Sequence, residues 1–418
     1  MNRFDIVVIG AGIAGMTTAN RAAQLGLSIC VLEKGDAQKY FCNTRFSGGT
    51  FHLCRQDIMS EPGALTDYLT AETNSMAEPA MIGAIVEGAP KIISWLREEG
   101  GRFMKASGSA YHNWVLAPPG RTRTGLDWEG RAGDVLLMTL EKNLAKRGGE
   151  VRRGMRARSL VMQDGRVAGV EADGPCGRET FEARAVVIAD GGFQGAPDLV
   201  AEHITAHPER LRQRGAGTGI GDGLRMAREV GAAVSDLSRF CGHLLSIDAL
   251  TNDSLWPYPY LDSVVAASIV VGPDGRRFAD EGRGGVYMAN AVASLDDPLS
   301  AHVVFDTAIW EDAGRIGLIP ANPHLPKEGG TLHAADDLDP LAATIGIDAD
   351  TLRTTVEQYS TAMREGRGDG LTPQRTGKAA KPIATPPFLA APLCAGLTYT
   401  MGGMLTDSDG RVRHESGG

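Results

Sequence analysis

The sequence predicts an α/β protein built around a parallel β-sheet. A β-branched run, Asp5–Ile9, begins almost at the amino terminus and suits a buried parallel strand. Small and apolar residues then recur at helical spacing over Ala14–Leu25, and a second strand-like run covers Leu27–Leu32. Strand, helix and strand in this order form the βαβ start of a Rossmann-like domain.

The turn between the first strand and the helix carries three glycines, spaced as Gly10-x-Gly12-x-x-Gly15. The first allows the tight turn, the second lets the backbone approach a pyrophosphate, and the third lets the helix pack closely on the strand. Glu33 ends the second strand, where an acid can accept hydrogen bonds from ribose hydroxyls. The pattern predicts a bound adenine dinucleotide rather than a purely structural turn, and its place at the amino terminus favours FAD over NAD. From this segment we expect Gly10, Gly12, Ile13, Ala14, Gly15, Glu33 and Lys34 at the cofactor.

The composition is that of an ordinary globular protein with two or three domains: 418 residues, 43% hydrophobic and 22% charged. A net charge of -9 argues against nucleic acid as a partner, although a few arginines in one cleft still permit an anionic substrate. No apolar run is long enough to span a membrane. The six cysteines form no C-x-x-C pair and no C-x-x-C-H haem attachment site. We therefore expect a cytoplasmic protein without membrane insertion, metal or haem.

A loop of small polar residues, Asn43–Thr50, follows the second strand. Two interpretations are equally open: the loop lies along the cofactor, or it is a surface turn. The first interpretation places Thr44, Ser47, Gly48 and Gly49 at the cofactor.

Helices and strands then alternate up to residue 236. Amphipathic patterning predicts helices over Met81–Glu99 and Gly133–Lys146, and a hairpin turn is expected at Asp164-Gly165. A buried strand, Ala185–Ala189, closes on paired glycines, and Gly215–Gly231 is a glycine-rich loop that feeds a helix. Asp222 either caps this helix or touches the cofactor. From this region we expect Ala157, Ala189, Asp190, Gly191 and Asp222 at the cofactor.

The pattern changes after about residue 232, where strand-turn-strand and helical segments indicate an inserted α+β domain. The predicted division is a first part of the cofactor domain at 1–236, an inserted domain at 237–370, and a return to the first domain at 371–418.

Four segments in this order resemble the flavoprotein subunit of the fumarate reductase/succinate dehydrogenase superfamily. They are IGAGIAGM…LEK, ADGGF, GTGIGDGLRMAREVGAAVSD, and DGRRFADEG followed later by TYTMGG. Within the superfamily, NTRFSGG, CGHLLSIDA and the KPI-x-TPPF segment look most similar to FAD-dependent tricarballylate dehydrogenase-like proteins. The resemblance implies a Rossmann-like FAD-binding domain with an inserted α+β capping domain, and an active site between them.

The resemblance also implies three catalytic residues. His243 matches a histidine that holds a substrate carboxylate, although a lone histidine is more often structural. Arg283 is the nearest match to the proton-shuttling arginine, at a spacing that differs from the fumarate reductases. Tyr399 lies where those enzymes carry paired histidines, which weakens fumarate itself as the substrate.

Two further departures from the family concern the flavin site. Asp190 replaces the usual threonine, and its charge is unfavourable near a pyrophosphate unless it is turned away or paired. The family continues with a glycine-rich strand and helix that contact the flavin, whereas this chain stops at Gly418. We expect either an omitted tail or a truncated form with a compromised flavin site.

The implied reaction is oxidation or reduction of a C–C bond next to a carboxylate, with FAD as the hydride carrier. The best candidate is a tricarballylate-like polycarboxylate dehydrogenase. The alternatives are a 3-ketosteroid dehydrogenase-like flavoenzyme, which predicts an apolar cleft with tyrosines, and a truncated, non-catalytic flavin-binding scaffold. The resemblance implies a small carboxylate substrate, whereas the sequence gives neither the exact substrate nor the electron acceptor nor the oligomeric state.

Overall fold

The computed structural model describes residues 2–73, 75–117, 124 and 128–417; the last residue, Gly418, lies outside this range. The strands are β1 (Arg3–Ile9), β2 (Ile29–Glu33), β3 (His52–Leu53), β4 (Gln56–Asp57), β5 (Phe103–Met104), β6 (Val115–Leu116), β7 (Glu150–Arg153), β8 (Arg156–Gln163), β9 (Arg166–Gly174), β10 (Gly177–Ile188), β11 (Arg212–Gln213), β12 (Phe240–Ser246), β13 (Ile269–Val271), β14 (His302–Asp306), β15 (His333–Ala335) and β16 (Phe388–Thr400). The α-helices are α1 (Ile13–Gln24), α2 (Asn43–Phe46), α3 (Pro62–Glu72), α4 (Pro79–Glu98), α5 (Ala132–Lys146), α6 (Pro197–His203), α7 (Asp222–Glu229), α8 (Asp262–Ala267), α9 (Gly285–Ala293), α10 (Thr307–Asp312), α11 (Ala321–Lys327), α12 (Leu338–Ile345) and α13 (Ala349–Arg364).

The first sheet has six strands in the order β7-β2-β1-β10-β9-β8. Strands β7, β2, β1 and β10 are parallel, and Ile9 at the end of β1 lies beside Leu32 of β2 and Ile188 of β10. The carboxyl ends of these strands therefore share one edge of the sheet, where ligands of open α/β sheets bind. The predicted α/β, Rossmann-like fold is confirmed, and the strand expected at Ala185–Ala189 is the end of the longer β10.

The predicted hairpin is the antiparallel pair β8 and β9. Its two turn residues both have positive φ, +50° at Asp164 and +74° at Gly165. Aspartate and glycine tolerate this conformation, which a two-residue hairpin turn with the right twist requires.

Helices α1 and α5 pack together on one face of the first sheet through buried apolar residues such as Met16, Leu136 and Leu140. Asn20 is buried between them and donates from Nδ2 to the Leu140 carbonyl at 2.9 Å. The two helices that the sequence predicts as Met81–Glu99 and Gly133–Lys146 are present as α4 and α5. Among the described residues, no helix combines the length and the apolar character needed to cross a membrane.

The second sheet is organised around β16, whose thirteen residues are almost all buried. Strand β11 pairs with β16 in parallel, and β12, β14 and β15 pair with it antiparallel. This sheet therefore combines strands from both the 237–370 and the 371–418 ranges, while the predicted domain boundaries stay a prediction. Beyond β16, Met404 and His414 form bridges to Val234 and Ala232.

Candidate active site

A cleft of about 220 Å³ lies at the carboxyl edge of the first sheet. The predicted cofactor residues that line it are Gly10, Gly12, Ile13, Ala14, Glu33, Lys34, Thr44, Ala157, Ala189, Asp190, Gly191 and Asp222. Asn43, Arg156 and Thr218 also line it, and sequence reasoning did not select them. A larger groove of about 1150 Å³ runs along α13, and none of the predicted site residues lines it.

The three glycines of the turn differ in what surrounds them. Gly10 has φ +94°, and an added Cβ would lie 2.6 Å from the Ala189 carbonyl oxygen. An added Cβ on Gly15 would lie 2.0 Å from the Gly10 carbonyl oxygen, so this glycine serves helix packing and does not line the cleft. Gly12 faces the cleft, and its nearest potential contact is the Thr44 hydroxyl at 3.6 Å. The backbone is therefore open to a ligand at Gly12.

Glu33 is buried at the end of β2, and backbone N–H groups fix its carboxylate. Oε2 accepts from Ala11 N at 3.0 Å, and Oε1 accepts from Gly35 N at 2.9 Å. Each carboxylate oxygen has a second lone pair, so the group can still accept hydrogen bonds from a ligand's hydroxyls.

Asp190 follows β10 and lines the cleft beside the amino terminus of α7. Its Oδ2 accepts from Gly223 N at 2.8 Å. Burial raises the pKa of the Asp190 carboxyl to about 6, while the hydrogen bond from Gly223 and the charge of Lys34 act in the opposite direction. The carboxyl is therefore paired by a backbone N–H but not turned away from the cleft.

Two cations complete the polar wall of the cleft. Lys34 donates from Nζ to the Thr218 carbonyl, and desolvation lowers its pKa. Arg156 binds the Asp222 carboxylate through two hydrogen bonds of 2.8 Å. Asp222 makes this ion pair instead of capping α7, because the cap position is Gly221 at φ +73°.

Only the first part of the polar loop after β2, within α2, lines the cleft. The Thr44 hydroxyl accepts from Ile13 N at 3.0 Å and lies on the cleft. Ser47, Gly48 and Gly49 do not line the cleft: the Ser47 hydroxyl donates to the Thr44 carbonyl, and Gly49 packs on Leu116. Their assignment to the cofactor stays a prediction.

These features fit FAD. The N-cap residue of α1, Gly12, offers no side-chain acceptor, so apart from Ile13 N, which donates to Thr44, N–H groups of the first turn are available to phosphate oxygens. Glu33 offers acceptors for ribose hydroxyls, and Lys34 and Arg156 offset the acids on the wall. The donor set is that of a dinucleotide site.

A second cluster lies on β12 and the segment that follows it. His243 and Asp262 form a hydrogen bond between Nδ1 and Oδ2, and Asp262 Oδ1 accepts from Leu244 N at 2.9 Å. The His243 ring stacks on Tyr260 with ring centres 4.6 Å apart. An added Cβ on Gly285, the first residue of α9, would lie 2.0 Å from the Asp262 carboxyl carbon. This packing holds the Asp262 carboxylate against Nδ1 of His243. The other ring nitrogen, Nε2, can therefore contact a ligand.

The other two predicted catalytic residues lie near this cluster. Arg283 belongs to the single turn just before α9, is exposed, and places its guanidinium 4.0 Å from the centre of the Tyr287 ring. Tyr399 is 48% exposed and pairs across the strands with Cys241, two residues before His243. Burial of the hydroxyl and its contact with Cys241 raise the pKa of Tyr399.

Sequence reasoning missed Arg214, Tyr258, Tyr260 and Asp262. Arg214 is buried within 5.8 Å of the centres of the Tyr258 and Tyr260 rings. Tyr260 is half-buried, and burial raises its pKa to about 12. A Tyr-Pro-Tyr segment near an expected catalytic histidine was the only local signal, and it points to no particular chemistry.

Asn43 connects the cleft to the second cluster. It lines the cleft, donates from Nδ2 to the Thr398 carbonyl at 3.2 Å, and accepts at Oδ1 from Ala216 N at 2.7 Å. The Thr398 hydroxyl in turn accepts from Arg214. The cofactor cleft and the His243 cluster are thus neighbouring parts of one site.

Residues 5–418 match the FAD binding domain family. Over 497 aligned residues the chain is 26% identical to 4-oxocyclohexanecarboxylate 2-dehydrogenase of Sinomonas cyclohexanicum, covering 98% of this chain and 84% of that protein. It is 24% identical to NADH:fumarate oxidoreductase of Klebsiella pneumoniae (strain 342) over 98% of this chain, and it spans 42% of that longer protein.

Among solved structures, the fold is similar to the crystal structure of 3-ketosteroid delta1-dehydrogenase from Sterolibacterium denitrificans in complex with 1,4-androstadiene-3,17-dione. The TM-score is 0.76 at 20% identity, with 100% of this chain and 92% of that chain covered. This likeness agrees with the Rossmann-like architecture of the first sheet.

Proposed function

The chain belongs to the FAD binding domain family, and from this membership we propose that it oxidises or reduces a C–C bond next to the carboxylate of a small acid. It is an FAD-dependent oxidoreductase that acts on CH–CH groups, of the fumarate reductase and 3-ketosteroid dehydrogenase type. Our first candidate substrate is a tricarballylate-like polycarboxylate. The electron acceptor is left open, and the cytoplasmic location stays a prediction.

Bound FAD would supply the hydride chemistry, and the residues of the chain would bind, orient and protonate the substrate. His243 donates a hydrogen bond to a substrate carboxylate when it is protonated. Tyr399 offers a hydroxyl near the same cluster. Arg283 is the proposed proton relay, although its exposure and its packing on Tyr287 keep it solvated in this conformation.

The single observation that carries the proposal is the His243–Asp262 pair beside the cofactor cleft. Asp262 accepts a hydrogen bond from Nδ1 and thereby fixes the tautomer and the orientation of the ring. Here the described part of the chain provides a partner for Nδ1 alone, and the side chain is 28% exposed.

A second candidate is a ring ketone. Tyr258 and Tyr260 present flat aromatic faces beside His243, and the alternative drawn from the sequence required tyrosines in the site. The relative named 4-oxocyclohexanecarboxylate 2-dehydrogenase acts on a ring that carries both a ketone and a carboxylate. The ring of such a substrate would pack on the aromatic side chains of the cluster, and its carboxylate would pair with the cationic ones.

The test begins with the visible spectrum of the purified protein, which reports bound flavin. Anaerobic addition of tricarballylate, 4-oxocyclohexanecarboxylate or a 3-ketosteroid is then followed at the flavin absorbance maximum. Bleaching by tricarballylate supports the first candidate, and bleaching by 4-oxocyclohexanecarboxylate or by the steroid supports the ring-ketone candidate. A flavin-loaded protein that stays oxidised with both acids rules these acids out as reducing substrates.

A His243→Ala variant tests whether His243 contributes to the reaction while the fold and the bound FAD are kept. We expect it to retain FAD and to lose at least about tenfold of the bleaching rate, because one charge-assisted hydrogen bond is removed. His207→Ala is the matched control, since His207 lies outside the cluster and contacts only Glu209 by ion pairing. Equal rates in the two variants would remove His243 from the mechanism.

A further inference from the structure

Arg214 is a buried cation held by neutral acceptors. The residue is 7% exposed, and its two terminal nitrogens donate to the Thr398 hydroxyl at 2.8 Å and to the Pro257 carbonyl at 3.1 Å. Its Nε is buried and has no hydrogen-bond partner among the residues that the structure describes. A guanidinium has five N–H donors, so this one retains unused donor capacity.

Within the described residues, no carboxylate lies within ion-pairing distance of the Arg214 guanidinium. Burial lowers the pKa of Arg214, and the nearby charge of Asp262 raises it only in part. Asp262 is already engaged by His243 and by Leu244 N. An arginine stays charged in proteins, so burial without an anion is unfavourable and an incoming anion relieves it.

Two connections place Arg214 next to the cofactor cleft. It directly precedes the glycine-rich loop whose Thr218 and Gly219 line the cleft. It also bonds the hydroxyl of Thr398, whose carbonyl accepts from the cleft residue Asn43. A ligand group at the guanidinium would therefore be adjacent to a bound flavin.

The groups around Arg214 define the rest of the ligand. Tyr258 and Tyr260 are half-buried and flank the guanidinium, and His243 stacks on Tyr260. A carboxylate offers the guanidinium paired acceptors, and the tyrosine rings offer apolar faces to the carbon skeleton of the ligand. A neutral ketone would leave the buried charge unpaired.

We propose that Arg214 is a further carboxylate-binding residue of the substrate site, beside His243, and that the substrate is consequently a small organic acid. This inference rests on the function proposed above and names the group that selects its substrate class.

The test compares an acid with its own uncharged ester. Holoenzyme carrying Arg214→Met or Arg214→Lys is prepared beside the wild type, and FAD content and thermal midpoint are checked first. Binding of 4-oxocyclohexanecarboxylate and of its methyl ester is measured from the perturbation of the oxidised flavin spectrum, and flavin reduction is measured anaerobically.

For the wild type we expect the acid to bind more tightly than the ester by at least about tenfold, because the ester lacks the anion. In Arg214→Met the acid should lose about 100-fold in affinity while the ester changes less than about threefold. Arg214→Lys keeps a charge without the planar fork, so an intermediate loss is expected. Should the Met variant fail to fold or to hold FAD, the Lys variant carries the same comparison.

Equal losses for acid and ester would assign Arg214 a structural role and overturn the inference. Tricarballylate serves as a second acid probe. If the wild type binds neither tricarballylate nor 4-oxocyclohexanecarboxylate, the inference is also overturned. Acid binding that depends on Arg214 without any flavin reduction would instead leave this site intact and count against the proposed reaction.

Discussion

Asn43 and Thr398, 355 positions apart in the chain, are joined by a hydrogen bond of 3.2 Å from the Asn43 side chain to the Thr398 carbonyl. The same side chain accepts from Ala216 N at 2.7 Å. One amide thus links α2, the glycine-rich loop and the central strand of the second sheet at the edge of the cofactor cleft. We therefore expect a substitution that displaces one of these segments to displace the other two, because all three are bonded to the Asn43 amide.

Replacing this amide should weaken cofactor binding. In Asn43→Ala two partners in the partly buried cleft wall lose their hydrogen bonds, so we expect FAD affinity to fall by about tenfold, measured by flavin fluorescence on titration. Asn252→Ala is the control, because Asn252 donates to the Glu328 carbonyl at 2.8 Å away from the cleft. Equal FAD affinity in both variants would contradict the linking role.

The glycine at position 15 should tolerate no side chain. In Gly15→Ala the new methyl group would lie 2.0 Å from the Gly10 carbonyl oxygen, so α1 must move off the turn. We expect a loss of at least about 2 kcal/mol in the free energy of unfolding, measured with urea, together with loss of FAD. Gly83→Ala in α4 meets nothing within 4 Å and should stabilise by about 0.5–1 kcal/mol. A Gly15→Ala protein as stable as the wild type would be inconsistent with this packing.

Asp190 should make the flavin-free protein less stable as the pH rises. Its pKa is about 6 in the folded protein and near 3.8 when unfolded, so the folded state holds the proton through the intervening pH range. The stability contribution is fully present below about pH 4 and is lost by about pH 6, amounting to at most about 3 kcal/mol.

The Asp190→Asn variant removes this titration. We expect it to exceed the wild type in stability by about 1–2 kcal/mol more at pH 7.5 than at pH 4.5, because the amide carries no charge at either value. Urea unfolding of the flavin-free proteins at the two pH values measures the difference. A difference that does not change with pH would mean that Asp190 titrates near its ordinary pKa.

Asp262 should affect catalysis through His243. In Asp262→Asn the charged acceptor that orients the His243 ring is lost, so we expect the rate of flavin reduction by an acid substrate to fall by about 10–100-fold. Asp253→Asn is the control, since Asp253 is exposed and pairs with Arg212. Equal rates of flavin reduction in the two variants would remove Asp262 from the mechanism.

The cofactor cleft was largely predictable because its determinants are local. Strand, glycines, helix and Glu33 follow one another within about thirty residues, and each has a separate physical reason. Ser47, Gly48 and Gly49 illustrate the limit of this reasoning. Composition left a loop along the cofactor and a surface turn equally open. In the structure Asn43 and Thr44 line the cleft, whereas the assignment of the three later residues to the cofactor stays a prediction.

The substrate side could not be assembled from sequence pattern alone. Arg214, Asp262 and Thr398 come from three distant segments, and the pairing of β11 and β12 with β16 brings them together. Arg214 looks like any arginine beside a glycine-rich loop. Its significance depends on burial and on the lack of an ion-paired carboxylate in the described structure, and neither property has a local signature.

The position of β16 has a consequence for how the protein is synthesised. The last strand of the first sheet ends at Ile188, so that sheet can form early, on the nascent chain. Strands β11, β12, β14 and β15 all require β16, which ends at Thr400. Each of them therefore keeps an unpaired edge until β16 has left the ribosome. Slow translation or a shortage of chaperones should therefore cause misfolding of the second sheet before it affects the first sheet.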